Sequence, residues 1–221
     1  MLTDKDIELL YEAICHDSYF PPDRDAFNLL LDKAEECRFK AKKYIVEYGE
    51  VNTDMWIVGK GVIRLSYYNE DHEITYGFGG QGTVFASPLG FVKGEIANFH
   101  LIAVTDVIML KIPKRDFLDL ITTNIKLSNW FSGAMIYQLM ASEARINSHN
   151  YPAAERVERF MKGMTDKDYK EINPHMQFSR HKLPMRVLAS YFGITRSHMA
   201  HIIKKMYEKG SGSANQKHDE V

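Results

Sequence analysis

The sequence predicts an α+β chain: an antiparallel β-roll preceded by helices, then one long helix, then a C-terminal all-α helix-turn-helix. Three observations predict it. Between Phe39 and Ile112 the runs YIVEYG, MWIVGKGVIRLSYY, EITYGFGG, TVFA, HLIAV and VIMLKI are apolar or alternating and are separated by Gly, Asn and Asp, the texture of short strands folded into a sandwich or barrel. After Pro113 the apolar period becomes helical, and Leu127, Trp130, Ala134, Tyr137, Ala141, Ala144 and Ser148 recur at alternating three- and four-residue steps. Leu183 to Lys205 then reads as two short helices joined by a glycine turn, the second polar and basic where it opens.

Taken in order, Thr3 and Asp6 form a capping box for a first helix through Ile14. Pro21-Pro22 interrupts the chain before a second helical run, about Asp23 to Glu36, and the two helices make an N-terminal flap. Gly49, Gly59, Gly61, Gly79, Gly80 and Gly82 sit where the strands of the roll turn. The stripe on the long helix is a coiled-coil seam whose alanines let two backbones approach, which predicts a homodimer through Leu127 to Ser148. The same stripe also suits packing on the chain's own barrel, because Phe131, Met135, Leu139 and Ile146 offer the helix further apolar positions. Pro152 disfavours helical geometry at Tyr151 and places a hinge there. Ala153 to Met164 is a further helix, Asp166 to Arg180 a polar loop, and the tail after Gly210 is expected to be disordered. The domains are therefore residues 1–120, 121–150 and 151–221.

Within the helical hairpin, Ala189 is small enough for a second helix to cross closely, and Gly193 can take the positive φ that ends a helix abruptly. Thr195 is placed to cap the next helix. Met199, Ile202 and Ile203 form its core face, leaving Arg196, Ser197, His198, His201, Lys204 and Lys205 opposite, as in a helix presented to the DNA major groove. A basic face of this kind also suits a hairpin that is merely solvated.

Charge supports the first reading. The net charge of −1 over 221 residues hides an asymmetry: residues 1–150 carry 15 Lys and Arg against 21 Asp and Glu, net −6, and residues 151–221 carry 13 against 8, net +5. Phosphate contacts need local positive charge, so a nucleic-acid-binding C-terminal part on an acidic sensor part fits this division. Cys15 and Cys37 stand far apart with no CxxC or Cys/His cluster, which argues against a disulfide framework, a zinc site or an iron–sulfur site. MLTDKDIELL is no leader, and no apolar run approaches the ~20 residues that span a bilayer, so a cytoplasmic protein without membrane contact is expected. No nucleophile–base constellation and no HxH-and-Glu ligand pattern stands in the sequence, so an enzyme is not expected.

A glycine-rich strand roll, a long helix and a C-terminal helix-turn-helix in this order resemble the bacterial CRP/FNR superfamily of transcription regulators. Glu47 to Leu65 resembles the family's run of Gly-Glu, an aromatic-Ile-Val, and a Gly opening a strand. Phe85 to Asp106 occupies the place and length of its phosphate-binding cassette, Lys111 to Phe117 resembles the exit into the dimer helix, and LASYFGITRSHMAHIIKK is similar to the recognition hairpin. The resemblance implies a cupin-like, cyclic-nucleotide-binding-like roll, double-stranded DNA as partner, a homodimer, and RNA polymerase as a further candidate partner.

The chain departs from the family where ligand is held. Cyclic-nucleotide-binding members carry Gly-Glu near the start of the cassette, the Glu for the ribose hydroxyl, and Arg-Ser near its end, the Arg for the cyclic phosphate; here these positions are Ala86-Ser87 and Ala97-Asn98. Ala97 cannot replace a bidentate guanidinium. On the long helix, where cAMP-responsive members place hydroxyls, the chain has Ser142 and Glu143. The expectation is a protein that does not bind cAMP in the family's usual way. Either the pocket is re-lined by Phe85, Pro88, Leu89 and Phe99 for a less anionic effector, or the cassette is vestigial in a constitutive regulator. No cofactor is evident: the iron–sulfur route of the family needs four cysteines, and the nine histidines form no obvious haem-ligand constellation.

On the DNA side the family's first base-reading Arg matches Arg196, the next reader, usually Glu, is Ser197, and a later Arg is His201, which implies a different sequence preference. Nothing after Gly210 alternates as the family's β-wing does. Backbone anchoring then falls to Lys204, Lys205, Arg180, His181 and Lys182. The expected function is sequence-specific DNA-binding transcription regulation; the alternative is a ligand-binding regulatory subunit acting on a partner protein.

Overall fold

The computed structural model describes residues 1–16, 18–69, 72–87, 91, 93–94, 96–163 and 183–215. Two four-stranded antiparallel sheets make the roll. One is ordered β1 (Glu35–Phe39), β8 (Val107–Ile112), β3 (Met55–Lys60), β6 (Val84–Ala86); the other β2 (Tyr44–Val46), β7 (His100–Ala103), β4 (Ile63–Asn69), β5 (His72–Gly79). Each run read as a strand in the sequence contains one, and MWIVGKGVIRLSYY contains two, β3 and β4.

The first two residues of strand β1, Glu35 and Glu36, were expected at the end of the second helix. That helix, α2 (Arg24–Asp32), stops four residues earlier than its predicted bound, and Glu35–Phe39 pairs with β8 from Glu35 opposite Lys111 to Phe39 opposite Val107. EECRF lacks an apolar alternation because it is an edge strand; Glu35 is tied to Lys111 at 2.9 Å. Pairing with a strand already fixed by the core outweighs local helix preference.

The unbroken apolar run of β3 follows from burial on both faces. Trp56 and Val58 face the inside of the roll with Phe85, Leu101 and Met109, whereas Met55 and Ile57 face outward with Val84, Leu110 and Ile112. The outward set is covered by α1 (Asp4–His16), α2, α3 (Lys114–Thr123) and α4 (Ile125–Ser148), through Leu10, Ile14, Phe27, Leu30, Phe117, Leu120, Leu127 and Trp130. Gly61, at φ 96°, is required where β3 turns into β4, since a Cβ there would lie 2.5 Å from the Asp106 carbonyl oxygen.

The capping box is formed: the Thr3 N–H donates to Asp6 Oδ2 (3.0 Å) and the Asp6 N–H to Thr3 Oγ1 (3.2 Å). Asp6 Oδ1 also meets Lys60 Nζ at 2.8 Å, tying α1 to β3. Lys60, then the Thr3 amide and hydroxyl, hold the Asp6 carboxyl at about 2. Because this folded-state value lies below the ordinary carboxylate value of about 4, the stabilisation is present above that pH and is lost as pH falls towards 2. Asp6→Asn is therefore expected to melt below the parent at neutral pH, with the gap narrowing between about pH 4 and about pH 2; a pH-independent gap in thermal melts contradicts this.

The long helix α4 is capped by Asn124, whose Oδ1 accepts from the Lys126 and Leu127 N–H groups at 3.0 and 3.2 Å. Its predicted seam turns out to face the chain itself. Leu127, Trp130 and Tyr137 are buried, Ala134 packs on the flap-covered core, and Ala141 and Ser148 are half-buried, leaving only Ala144 exposed. The apolar residues left in solvent form a neighbouring stripe: Ile136 (48% exposed), Leu139 (61%), Met140 (46%) and Ile146 (69%). The flap's roof over Leu127 and Trp130 is what turns the first stripe inward.

After the bend at Tyr151-Pro152, α5 (Ala153–Gly163), α6 (Met185–Phe192) and α7 (Arg196–Asn215) share a third core. The predicted loop from Asp166 to Arg180 lies outside the described residues. Helix α7 runs through Asn215, beyond the point where the tail was expected to become disordered. Phe160 and Tyr191 of this unit meet Phe78 of β5, with the Phe78 and Tyr191 rings 5.1 Å apart, and Phe192 packs edge-on against Phe160. No helix among the described residues is long and apolar enough to cross a membrane.

Candidate functional site

A cavity of about 340 Å³ lies between the roll and the long helix. Its walls are Tyr76, Gly77 and Phe78 of β5, Val84, Phe85 and Ala86 of β6, Gln138, Ala141, Ser142, Arg145 and Ile146 of α4, and Tyr191 of α6, with Leu65 and Thr83. The roll, the long helix and the C-terminal unit thus each contribute to one space.

Arg145 organises it. Its Nη1 donates to the Tyr76 carbonyl at 2.6 Å, and Nη2 donates to the carbonyls of Thr75 (3.1 Å) and Tyr191 (3.3 Å). Its guanidinium stands 4.3 Å from the Tyr191 ring centre, in cation–π range. Burial raises the phenols of Tyr76 and Tyr191 while Arg145 opposes it, so both rings stay neutral and Arg145 is the charged side chain among the described residues lining the cavity. Gln138 Nε2 donates to the Val84 carbonyl at 2.6 Å, fastening helix to sheet beside it. The Ser142 hydroxyl donates back to the Gln138 carbonyl at 2.9 Å.

Of the residues expected to line an effector pocket, Phe85 and Ser142 do so. Ala97 and Phe99 are buried in the core inside the roll; Phe99 packs edge-on against Phe85 at 5.2 Å, and the Ala97 N–H and carbonyl are spent on Glu50 and Gly49. Where the family resemblance would put an arginine, a fully buried methyl therefore sits among apolar neighbours. Ser87 is buried, Asn98 is exposed, and neither lines the cavity. Pro88 and Leu89 lie outside the described residues. Arg145 had been passed over: its signal was a lone arginine following Ala141 at i+4 on a stripe of small and apolar residues.

The helical hairpin takes the predicted geometry. Gly193 caps α6 with φ 65° and ψ 35°, and the Ile194 N–H closes across it onto the Ala189 carbonyl at 3.0 Å. Thr195 Oγ1 accepts from the His198 N–H at 3.2 Å, the N-cap bond that starts α7, and lies 3.1 Å from the Ser197 hydroxyl. Met199 and Ile202 are buried, while Arg196, Ser197, His198, His201, Lys204 and Lys205 are exposed. Arg180, His181 and Lys182 lie outside the described residues. No group of three or more His, Cys, Asp or Glu side chains that could hold a metal ion forms among the described residues.

Comparison with known proteins places this architecture. No curated protein matches the sequence. The c-di-GMP responsive global regulator CLP of Xanthomonas campestris superposes with a TM-score of 0.68 at 14% identity, over 85% of this chain and 93% of that one. FixK2 of Bradyrhizobium japonicum superposes at 0.64 and 15% identity, over 80% and 86%. A CooA mutant from Carboxydothermus hydrogenoformans gives 0.58 at 16%, over 82% and 79%. At these identities the likeness is one of fold. Residues 36–124 match the model of the cyclic nucleotide-binding domain family, and the fold of the chain is similar to that of these three proteins.

Proposed function

We propose that the protein is a homodimeric, sequence-specific DNA-binding transcription regulator. The observation that carries the reading is the hairpin: a left-handed glycine, a Thr195 cap, a buried Met199/Ile202 face, and an opposite face of Arg196, Ser197, His198, His201, Lys204 and Lys205 in solvent. The C-terminal net charge of +5 supplies the field such a face needs. The dimer forms along α4 through Ile136, Leu139, Met140 and Ile146, exposed at three- and four-residue steps from Ile136 and one heptad on from Leu139, and not through the stripe already used by the flap. Two recognition helices then meet half-sites roughly 34 Å apart.

Lys204 and Lys205 serve as phosphate contacts. Replacing both by alanine is expected to weaken binding to all duplexes alike and to reduce the slope of log affinity against log salt by about two. An unchanged slope in anisotropy titrations at several salt concentrations rejects these assignments.

The cavity is the effector site of this reading, and its chemistry selects against cyclic nucleotides held in the usual way. Arg145 is committed to three carbonyls, and Ala97 offers no cation. Calorimetry with cAMP is expected to show no stoichiometric micromolar binding; such binding overturns the assignment.

A further inference from the structure

His100 opens β7, and because Phe99 and Leu101 on either side of it point into the roll, its ring lies on the outer face of the sheet. Three tyrosine rings from three parts of the chain surround it. Tyr44 of β2, Tyr48 of the turn that follows and Tyr68 of β4 have ring centres 5.0, 6.2 and 5.5 Å from the imidazole. The decisive contact is with the backbone: the Tyr48 N–H donates to His100 Nδ1 at 3.1 Å. A peptide N–H can only donate, so Nδ1 must offer a lone pair and the ring proton of the neutral imidazole sits on Nε2. Protonation of Nδ1 would set one N–H against another.

That bond spans a gap in the pairing of the sheet. The β2–β7 ladder ends where Val46 stands opposite Leu101. Pairing resumes farther along: the Gly49 N–H donates to the Ala97 carbonyl (2.8 Å), the Ala97 N–H donates to the Glu50 carbonyl (2.7 Å), and Val51 bridges Ile96. Between the two lies the 47–50 turn, closed by the Glu50 N–H onto the Glu47 carbonyl (3.2 Å) and by the Glu47 N–H onto Glu50 Oε2 (3.0 Å). The His100 side chain thus takes the place of a ladder bond. The charged groups that face the imidazole are Glu47 from the turn, Glu73 from β5 and Arg64 from β4, the last two paired with each other at 2.6 Å. Burial, aided by Arg64, holds the imidazole below its ordinary value against the opposing pull of Glu73 and Glu47.

We propose that His100 is a proton-operated latch: neutral, it fastens the 47–50 turn to β7 through the Tyr48 N–H, and protonated, it releases the turn and loosens residues 96–100, the stretch that leads into β7. The imidazole takes up a proton less readily in the latched form than in the open one. The latch is therefore at full strength above about pH 6.5, the ordinary histidine value, and loses that strength as pH falls through the lower value of the latched form. The latch does not depend on the DNA reading above and is tested without DNA.

The test is NMR of the isotopically labelled full chain. The neutral His100 ring is expected as the Nε2–H tautomer and to titrate below the ordinary value of about 6.5. Amide-exchange protection of Tyr48, Gly49 and Ala97, corrected for the intrinsic rate, is expected to fall at least about threefold between about pH 7.5 and about pH 5, the fold-change being set by the ratio of the acid constants in the latched and open forms. His100→Asn, whose Oδ1 can accept from the Tyr48 N–H and which does not titrate, should abolish the fall. His72→Asn, at the start of β5 on the same sheet, should leave it intact. An Nδ1–H tautomer or a titration above that value in the parent overturns the proposal, whatever the variants do. So does protection that does not change with pH, a fall that persists in His100→Asn, or one that disappears in His72→Asn.

Discussion

Replacing Arg145 by alanine is expected to uncouple the C-terminal helices from the roll. Its three carbonyl bonds join α4 to Thr75 and Tyr76 of β5 and to Tyr191 of α6, and its guanidinium covers the Tyr191 ring. A hydrogen bond from a charged donor is worth about 1.5–3 kcal/mol, and bonds sharing one donor group are not additive, so a loss of about 3 kcal/mol is expected. The rest of the junction is the packing of Phe78 against Phe160 and Tyr191 together with Ser190, whose Oγ donates to the Glu73 carbonyl (2.7 Å) and accepts from the Thr75 N–H (2.9 Å), taking the place of a missing strand neighbour at the β5 edge. Both tryptophans, Trp56 and Trp130, lie in the roll and its flap-covered core, so their fluorescence reports that part alone, whereas circular dichroism is dominated by helices throughout the chain. The parent is expected to unfold with the two signals coincident and Arg145→Ala with the dichroism transition starting first. Arg145→Lys should not restore coincidence, because an ammonium cannot reproduce the planar fork over three carbonyls. Coincident transitions at the parent's midpoint in Arg145→Ala contradict this role.

The second large effect is expected at Arg196. A guanidinium that takes O6 and N7 of one guanine contributes about 1–3 kcal/mol of discrimination, so Arg196→Ala should lower affinity for the preferred site roughly 10- to 100-fold while changing affinity for unrelated duplexes little. The expected pattern differs from that of Lys204 and Lys205, whose loss acts on all sequences. Equal weakening on specific and unrelated DNA would move Arg196 from base reader to phosphate contact.

The roll was legible because its strands carry either alternation or unbroken apolar runs, and MWIV in β3 shows why: neighbouring residues serve two different cores. Strand β1 was not legible, since EECRF becomes a strand only by pairing with β8 and carries no pattern of its own. On α4 the heptad stripe was read as a dimer seam, with packing on the chain's own barrel as the alternative, because a stripe does not say what covers it; at Leu127 and Trp130 the flap does, through Leu10, Phe27 and Leu30. The hairpin from Leu183 to Lys205 was legible almost residue by residue, because left-handed glycine and N-cap threonine act locally. The cavity was not, since its walls come from three strands and two helices far apart in sequence, and Arg145 acquires its role only where β5 and α6 meet.

The central claim is that the exposed face of α7 reads DNA, and the most direct measurement is selection of the purified full chain against randomised duplex DNA at moderate salt with no small molecule added. The account predicts enrichment of an inverted repeat whose half-sites are centred about one helical turn, roughly 34 Å, apart. Recovery of no shared sequence, together with no retention on duplex DNA even at low salt, would contradict it and point to a ligand-binding subunit that acts on a partner protein.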